Sequence, residues 1–363
     1  MTPSSSGPSI PALQPIITSV EDLPPALAAS VSAEERECIR KFNKSGLPFA
    51  VSSHFASLAG PGREDPIRRQ FMPDPREALV DPFALDDPLG EACHRITPRL
   101  VHQYRDRALL LAGGSCAGLC RYCFRRVWMS APAAFISDGE LEPVLACLES
   151  RRAIREILVS GGDPLGACDG ELSELFRKLR KANPLILIRL CSRFPITNPA
   201  RITPETIALL ARSRPLRIVT HINHPTELSQ ASRAVLASAV EAGIPVHVQT
   251  VLLRGINDNA ETLAELFREC LGLGLSPYYL FQLDLAPGTA HFRVPLREGL
   301  SIYRELTRLI SGLGLPAYAL DLPGGGGKIR LHENAIAGEE ERPGGRVYLL
   351  KGPGGKLFEY PAN

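Results

Sequence analysis

Three cysteines on one short segment carry the strongest chemical signal in the sequence. Cys116, Cys120 and Cys123 follow an apolar run in the pattern Cys-x-x-x-Cys-x-x-Cys. Three thiolates on one loop can bind three irons of a cubane cluster, which leaves the fourth iron without a protein ligand. That iron can take the amino and carboxylate groups of S-adenosylmethionine, and an electron from the cluster then releases a 5'-deoxyadenosyl radical. The alternatives are three of four zinc ligands or buried packing cysteines, but no second cysteine pair at zinc spacing completes such a site.

A second signal is the glycine-rich run Asp-Leu-Pro-Gly-Gly-Gly-Gly-Lys, which ends at Lys328. Its glycines lack a Cβ, so backbone amides can approach an anion closely, and the lysine amine stands at the tip. Such an amine could bind phosphate or form a Schiff base. The run is not a P-loop, because Ile329 follows the lysine where a P-loop has Ser or Thr. A flexible glycine linker is the alternative.

Two acids and one turn also follow apolar runs. Asp284 comes after such a run, and Asp321 opens the glycine-rich run. Two carboxylates in one enclosed site repel each other unless a cation lies between them. The pair therefore suits a cationic ligand, and solvated loop acids are the alternative. The turn Ser160-Gly161-Gly162-Asp163 could by itself be a plain strand-to-helix loop.

The elements that must position these residues alternate between strand and helix. Apolar runs at 108–112, 157–159, 185–190, 217–222, 246–253 and 278–283 predict strands, and helical periodicity predicts helices at 138–150, 169–182, 204–213, 226–242, 260–271 and 299–313. Continuous apolar runs indicate strands covered on both faces, hence a parallel sheet. An open doubly wound α/β sheet and a full or partial barrel both fit. In either fold the ligand site lies at the carboxyl ends of the strands.

The rest of the chain divides by composition. Residues 1–19, rich in Ser and Pro, predict a disordered tail, and 20–106 predict an irregular helical region. Residues 107–330 form the predicted α/β core. Residues 331–363 form a C-terminal extension in which two alternating runs around Gly-Pro-Gly-Gly predict a β-hairpin.

The composition excludes several classes of partner. The 363 residues carry a formal net charge of only +2, which gives no basic surface for nucleic acid or anionic lipid. No segment approaches the ~18 apolar residues that a membrane span requires. Nine cysteines without the spacing of a disulfide framework indicate a reducing compartment. We therefore expect a cytoplasmic protein that acts on a small molecule.

The cysteine pattern, with aromatic Tyr122 before the last cysteine, resembles the radical S-adenosylmethionine superfamily. Further segments resemble its lysine 2,3-aminomutase family: DPIRRQFMPD, DPLGEACHRITPRLVHQYRDR, CAGLCRYCFRR, SGGDPL, CSRFPITNPARIT, HINHPTE, VHVQTVLLRGINDN, PYYLFQLDLAPGTAHFR and DLPGGGGK. The resemblance implies a partial or full parallel (β/α) barrel over 107–330. It also implies three cofactors: a [4Fe-4S] cluster, S-adenosylmethionine and pyridoxal 5'-phosphate.

The resemblance implies a role for each candidate site residue. The cluster is expected on Cys116, Cys120 and Cys123, and S-adenosylmethionine near Tyr122, Ser160, Gly161, Gly162 and Asp163. Pyridoxal phosphate is expected on Lys328, with Arg107, Gln249, Ser192 and Arg193 around it. Arg125 would bind the substrate carboxylate, and Asp284 and Asp321 the distal ammonium. Four histidines, His221, His224, His247 and His291, are expected in packing or ordinary polar roles.

The implied activity is an isomerase that moves the 2-amino group of L-lysine to C3, with an external electron donor such as flavodoxin or ferredoxin and a possible homodimer. Alternatives are arginine as the substrate, supply of β-lysine for elongation factor P modification, and a non-catalytic iron-sulfur or zinc protein. Two positions depart from the family. Gln103 replaces an arginine among the phosphate contacts, and no cysteine follows Cys270, so the zinc-binding cysteines of some relatives are missing.

Overall fold

The computed structural model describes residues 14–129 and 134–362. Its α-helices are α1 Pro25–Ser30, α2 Ala33–Lys44, α3 Ser53–Ser57, α4 Arg126–Met129, α5 Asp138–Ser150, α6 Asp169–Ala182, α7 Phe194–Thr197, α8 Pro204–Arg212, α9 Gln230–Glu241, α10 Ala260–Gly272 and α11 Leu296–Leu309. None of the described helices is long and apolar enough to cross a lipid bilayer.

The strands form one large sheet and two small ones. They are β1 Ile16–Ile17, β2 Val51–Ser52, β3 Arg95–Thr97, β4 Leu100–Tyr104, β5 Arg107–Gly113, β6 Glu156–Gly161, β7 Leu187–Cys191, β8 Leu216–His221, β9 Val246–Val251, β10 Ser276–Phe281, β11 Ala317–Leu322, β12 Gly327–Arg330, β13 Ile336–Arg342, β14 Gly345–Lys351 and β15 Leu357–Pro361. The large sheet has the order β12-β11-β10-β9-β8-β7-β6-β5-β4-β3. Strands β5 to β11 are parallel, and β3, β4 and β12 are antiparallel at the two ends.

The two faces of the large sheet differ. Along β6, residues that are fully buried, such as Ile157 and Val159, alternate with partly exposed ones. The buried residues pack into the main hydrophobic core. The opposite face is the lumen, and it carries many polar side chains, including Gln249 and Asp321. The strands therefore present apolar side chains to the core and the candidate site residues to the lumen.

The ends of the sheet approach each other and make it a partial barrel. The Tyr104 hydroxyl on β4 accepts a hydrogen bond from the Lys328 backbone N–H on β12, at 3.0 Å. The neighbouring Gln103 amide donates to the carbonyl of Gly325, at 3.0 Å. These contacts link the two antiparallel edges. The partial barrel is thus confirmed, and the open doubly wound sheet does not describe this fold.

Several boundaries differ from the sequence predictions. Residues 1–13 of the predicted disordered tail lie outside the described residues, whereas Ile16–Ile17 form β1, paired with β2, with Ile17 buried. Strands β3 and β4 lie in the region predicted to be helical. The hydrophobic run of β11 is short and starts after Pro316, so periodicity alone missed it. The predicted C-terminal hairpin is β14 and β15, and β13 extends it to three strands.

A buried ion-pair cluster fixes the N-terminal region to the cysteine loop. The Arg121 guanidinium donates to both carboxylate oxygens of Glu77, at 2.9 and 2.7 Å, and neither side chain is exposed to solvent. Arg126 also pairs with Glu77. Arg121 further donates to the carbonyls of Leu47 and Pro48. Since Arg121 lies between two of the predicted ligand positions, the N-terminal region helps to set the shape of the loop.

We expect Glu77→Gln to destabilise the fold by about 3–5 kcal/mol, because it leaves two buried guanidinium groups without their carboxylate. Chemical denaturation under anaerobic conditions measures the loss. The control is Glu174→Gln, which breaks a pair whose side chains are 46% and 61% exposed and should cost under about 1 kcal/mol. Equal effects of the two substitutions would contradict this role for Glu77.

Candidate active site

The three cysteines lie on the loop after β5. A turn bond joins the Cys123 N–H to the Cys120 carbonyl at 3.0 Å, and the N-terminal region holds the loop through a bond from the Leu119 N–H to the Ala50 carbonyl at 2.8 Å. Burial raises the pKa of the Cys123 thiol to about 11, with Cys120 adding to the increase. Burial also raises the pKa of Cys116, and Asp163, Cys123 and Cys120 contribute. The three sulfurs are therefore close enough to interact in a poorly hydrated site.

This donor set fits an iron-sulfur cluster. Buried thiolates that repel one another need positive charge between them, and iron supplies it. Among the described residues, no three His, Cys, Asp or Glu side chains form a group that could hold a single metal ion. In a cubane each thiolate binds a different iron, so ligation of that kind does not require the three sulfurs to meet at one point.

The turn Ser160-Gly161-Gly162-Asp163 is packed against the cysteine loop. Gly161 has φ of 113°, and a Cβ there would lie 2.2 Å from the carbonyl oxygen of Gly113. A Cβ on Gly162 would lie 2.6 Å from the Ser115 carbonyl oxygen. The Asp163 N–H donates to that same carbonyl, at 2.7 Å. The glycines therefore allow the end of β6 to contact the start of the cysteine loop.

Asp163, the last residue of this turn, is buried and links the turn to the end of β7. Burial raises the pKa of its carboxyl to about 6, against the opposing effect of a hydrogen bond with Ser192. The Arg193 N–H donates to the Asp163 carboxylate, at 2.6 Å. The Ser192 hydroxyl in turn accepts from the Phe194 N–H, at 3.1 Å. Three of the candidate residues thus form one hydrogen-bonded unit.

The side chain of Arg193 lies at the cysteine end of the site. Its guanidinium donates to the Cys120 sulfur at 2.9 Å. It also donates to Gln70, at 2.6 Å, and to the fully buried Glu227, at 2.9 Å. Gln70 and Glu227 therefore direct Arg193 toward Cys120, and its expected role beside pyridoxal phosphate stays a prediction.

Tyr122 closes the same end. Its ring meets that of Phe292 edge to face at 6.4 Å, within a small apolar cluster that includes Leu253. Its hydroxyl accepts a hydrogen bond from the Asn223 amide, at 2.7 Å. Burial raises the pKa of this phenol well above its usual value. The aromatic ring is thus a fixed, neutral wall beside the cysteine loop.

Lys328 is held at the other end of the site by its strand pairing. In the β11–β12 ladder Lys328 is directly opposite Asp321, and the two side chains form an ion pair. The Lys328 Nζ also lies 4.0 Å from the ring centre of Phe281 and 5.1 Å from that of Tyr279. The lysine therefore has a defined environment of one acid and two aromatic rings.

The glycine-rich run before Lys328 is a built turn. Gly324, Gly325 and Gly327 have φ of 65°, 82° and 83°, in the left-handed region that favours glycine. At Gly90 a Cβ would lie 2.4 Å from the Gly325 backbone nitrogen, so the neighbouring loop packs directly on this turn. The alternative of a flexible linker does not describe it.

Asp284 lies close to Asp321 and Lys328. Burial raises the pKa of its carboxyl to about 8, and the negative charge of Asp321 adds to this increase. The positive charges of Lys328 and Arg125 oppose it. The structure therefore brings the four predicted residues Arg125, Asp284, Asp321 and Lys328 within electrostatic reach of one another.

Arg125 connects the two ends of the site. Its positive charge lowers the pKa of the Cys116 and Cys123 thiols, as it does that of the Asp284 carboxyl. Its guanidinium pairs with Glu91, and both side chains are only 14% exposed. The predicted carboxylate-binding arginine thus carries an internal carboxylate partner.

Arg107 and Gln249 lie on the wall near Lys328. The Arg107 guanidinium stacks 3.8 Å from the ring centre of Tyr104, the residue that bonds the Lys328 backbone. The Gln249 amide oxygen accepts a hydrogen bond from the His221 Nε2, at 3.1 Å, and Gln249 is the β-sheet neighbour of Tyr279. Both residues are therefore near the predicted cofactor lysine.

Sequence reasoning did not single out four residues that complete the site: Glu91, Tyr104, Gln70 and Glu227. All four lie within or beside segments that carry the family resemblance. Their partners are distant in sequence, since Gln70 and Glu227 bond each other at 2.8 Å across the fold. Only the resemblance of the segments, and no spacing rule, could have indicated them.

The superfamily of this chain is defined by a comparison with models of known protein families. Residues 111–267 match the profile of the radical SAM superfamily, and this range contains the cysteine loop and strands β6 to β9. The chain therefore contains a radical S-adenosylmethionine domain.

Curated relatives define the family within that class. A putative L-lysine 2,3-aminomutase of Treponema pallidum is 45% identical, covering 85% of this chain and 87% of that protein. The L-lysine 2,3-aminomutase of Clostridium subterminale is 34% identical over 84% of this chain and 74% of that protein. The corresponding protein of Escherichia coli is 37% identical over 81% and 86%. This chain belongs to the lysine 2,3-aminomutase family.

Membership of this family bears on one alternative that the sequence left open, a protein without catalytic activity. The family consists of isomerases in the radical SAM class, so the chain is an enzyme that uses a [4Fe-4S] cluster and S-adenosylmethionine. A non-catalytic iron-sulfur or zinc protein is not supported.

Proposed function

We propose that the protein converts L-lysine to β-lysine by moving the 2-amino group to C3, with pyridoxal phosphate bound at Lys328. One observation carries the proposal. Arg125 interacts electrostatically with Cys116 and Cys123 on one side and with Asp284, beside Lys328, on the other. A substrate whose carboxylate binds Arg125 would lie between the radical source and the cofactor lysine.

The cofactors and the protein divide the chemistry. A [4Fe-4S] cluster with S-adenosylmethionine supplies a carbon radical that can remove an unactivated hydrogen atom, and pyridoxal phosphate supplies a π-system next to the migrating nitrogen. We assign Cys116, Cys120 and Cys123 to the cluster and Lys328 to pyridoxal phosphate. The remaining residues bind, orient and shield the substrate.

Two acids suit the distal ammonium of lysine. In this structure the Lys328 ammonium contacts Asp321 and favours ionisation of Asp284. This contact of an ammonium group with Asp321 supports the assignment. The distal ammonium of the substrate would bind beside these two carboxylates. Glu91 must release Arg125 for the substrate carboxylate to bind.

The same acids could accept a guanidinium, so arginine is the competing substrate. We would test both with protein reconstituted anaerobically with iron, sulfide, pyridoxal phosphate and S-adenosylmethionine, given lysine, arginine, ornithine or glutamate. We expect the β-isomer of lysine, identified by liquid chromatography and mass spectrometry. Isomerisation of arginine but not of lysine would contradict the assignment.

The proposal extends to partners and location. One electron must enter the cluster to start the reaction, and we assign this task to an external donor such as flavodoxin or ferredoxin. A cytoplasmic location is supported by nine cysteines of which none is in a disulfide among the described residues. Supply of β-lysine for elongation factor P modification concerns the destination of the product and is compatible with the same chemistry.

The contact between Arg193 and Cys120 should affect the reduction potential of the cluster. A hydrogen bond and a positive charge at a ligand sulfur stabilise the reduced cluster. We expect Arg193→Gln to lower the reduction potential of the cluster, as measured by anaerobic redox titration followed by electron paramagnetic resonance. Removing the negative charge with Glu227→Gln should raise it.

Arg177→Gln is the control for both variants, because Arg177 is 61% exposed and pairs with Glu174 on the outer surface. It should leave the potential unchanged. Shifts of the same sign for Arg193→Gln and Glu227→Gln would show that Arg193 does not act through its charge at Cys120.

A further inference from the structure

We propose that Tyr360, on β15 of the C-terminal sheet, is a positioning residue that holds Asp284 in place to bind the distal ammonium of the substrate. This inference rests on the proposed function. It gives the C-terminal sheet a part in substrate recognition, although that sheet lies outside the barrel.

Asp284 is positioned through its backbone. Over residues 14–129 and 134–362, no group donates a hydrogen bond to its carboxylate, which interacts with its neighbours only through charge. The carbonyl groups on either side of it are both held. The Leu283 carbonyl accepts from the Tyr360 hydroxyl at 2.9 Å, and the Leu285 carbonyl accepts from the Leu85 N–H at 2.7 Å. The carboxylate is thus left for a ligand, and the two backbone contacts set where it lies.

Tyr360 belongs to a buried polar network that joins the end of β10 to β11 and β15. Its hydroxyl accepts from the Gln282 side-chain amide at 3.1 Å, in addition to donating to Leu283. The Gln282 amide also donates to the Val294 carbonyl at 2.7 Å, and its oxygen accepts from the Tyr318 hydroxyl on β11. Tyr360, Gln282 and Tyr318 are each only 1% exposed. Because each polar group of these three side chains has a partner, the network specifies one arrangement of the chain before Asp284.

The same strand contacts the turn that precedes Lys328. Phe358 is two residues before Tyr360 on β15, so both side chains lie on one face of the strand. The Phe358 ring packs directly on Gly326 and leaves no room for a Cβ there. β15 therefore contacts both the segment of Asp284 and the turn of Lys328, and it fixes the position of one relative to the other.

Removing the Tyr360 hydroxyl should act on substrate binding through Asp284. The Leu283 carbonyl would be left buried without its donor, which is costly, so the segment would shift or draw in water. A small displacement of a binding group is enough to weaken its contact with a ligand. The effect should be confined to ligands that carry the distal ammonium.

The test compares L-lysine with L-norleucine, which has a carbon chain of the same length but no distal ammonium. The reconstituted protein is kept anaerobic without an electron donor, and binding is followed by the change in absorbance of the protein-bound cofactor. For Tyr360→Phe we expect the dissociation constant of lysine to rise about 5- to 30-fold, as for loss of one buried hydrogen bond, and that of norleucine to change less than about 2-fold.

Tyr348→Phe is the matched control. Tyr348 is directly opposite Tyr360 in the β14–β15 ladder and is 6% exposed, but its hydroxyl accepts from Arg297 on α11, at 3.1 Å. Its loss should leave both dissociation constants unchanged. Circular dichroism checks that each variant folds.

A double-mutant cycle tests whether Tyr360 acts through Asp284. In the Asp284→Asn background, Tyr360→Phe should change the affinity for lysine by less than about 2-fold, because the contact that it positions is already lost. Unchanged lysine affinity in folded Tyr360→Phe would overturn the inference. So would equal weakening for lysine and norleucine, or an effect that persists in full in the Asp284→Asn background. A wild type that does not respond to lysine would instead overturn the proposed function.

Discussion

Lys328→Ala should remove the absorbance of bound pyridoxal phosphate and reduce isomerase turnover by more than about 1,000-fold. The reason is that Lys328 is assigned the covalent bond to the cofactor aldehyde. Among the described residues, no other amine is placed beside Asp321, Tyr279 and Phe281. The cluster should be retained, because Lys328 is on β12 and the cysteines are on the loop after β5. Absorbance, iron content and product formation are measured on the same anaerobic sample.

Lys351→Ala is the matched control, since Lys351 is an exposed lysine on β14 in the C-terminal sheet. It should keep both the cofactor band and activity. A Lys328→Ala protein that still shows borohydride-sensitive cofactor absorbance would refute the assignment of Lys328.

Asp284→Asn and Asp321→Asn should each lower kcat/KM for lysine by about 30- to 1,000-fold, which corresponds to a loss of ~2–4 kcal/mol for a buried charge contact. Each substitution leaves the distal ammonium of the substrate with one carboxylate fewer. The affinity for pyridoxal phosphate should change much less than that for lysine. Asp138→Asn, at a side chain that is 87% exposed, is the control.

The pH profile tests the same two acids. Only ionised Asp284 attracts an ammonium, and its pKa in the free protein is raised to about 8 by burial and by Asp321. Since kcat/KM reports the free enzyme, in which cofactor-bound Lys328 no longer favours ionisation of Asp284, it should increase as the pH rises through about 8 and above. Asp284→Asn should lose this rise. A wild-type kcat/KM that decreases between neutral pH and pH 9 would contradict the role of Asp284.

Much of the fold follows from local sequence patterns. The apolar runs of β5 to β10 and the helices between them have strong periodicity, and they were found close to their observed positions. Strands β3, β4 and β12 were not found in this way, because they are short antiparallel strands, paired with their neighbours in the chain, and their sequences contain no continuous apolar run. The partial closure of the barrel depends on contacts such as that of Tyr104 with Lys328, which no local pattern records.

The candidate site, like the fold, could be predicted only in part from the sequence. Residue type and spacing identified Cys116, Cys120, Cys123 and Lys328 as reactive groups, while their mutual placement required the tertiary structure. The place of Arg193 beside Cys120 was missed because its direction is set by Gln70 and Glu227, which lie on other elements. Likewise, the Glu91 partner of Arg125 is visible only in three dimensions.

The central claim is that the cluster end and the lysine end serve one substrate in one chamber. The most direct measurement uses S-adenosylmethionine with deuterium at the 5' carbon of its ribose, incubated anaerobically with the reconstituted protein and L-lysine. The account predicts that deuterium appears in carbon-bound positions of the β-lysine formed, detected by mass spectrometry. β-Lysine free of deuterium, or label confined to 5'-deoxyadenosine while lysine stays unchanged, would contradict it.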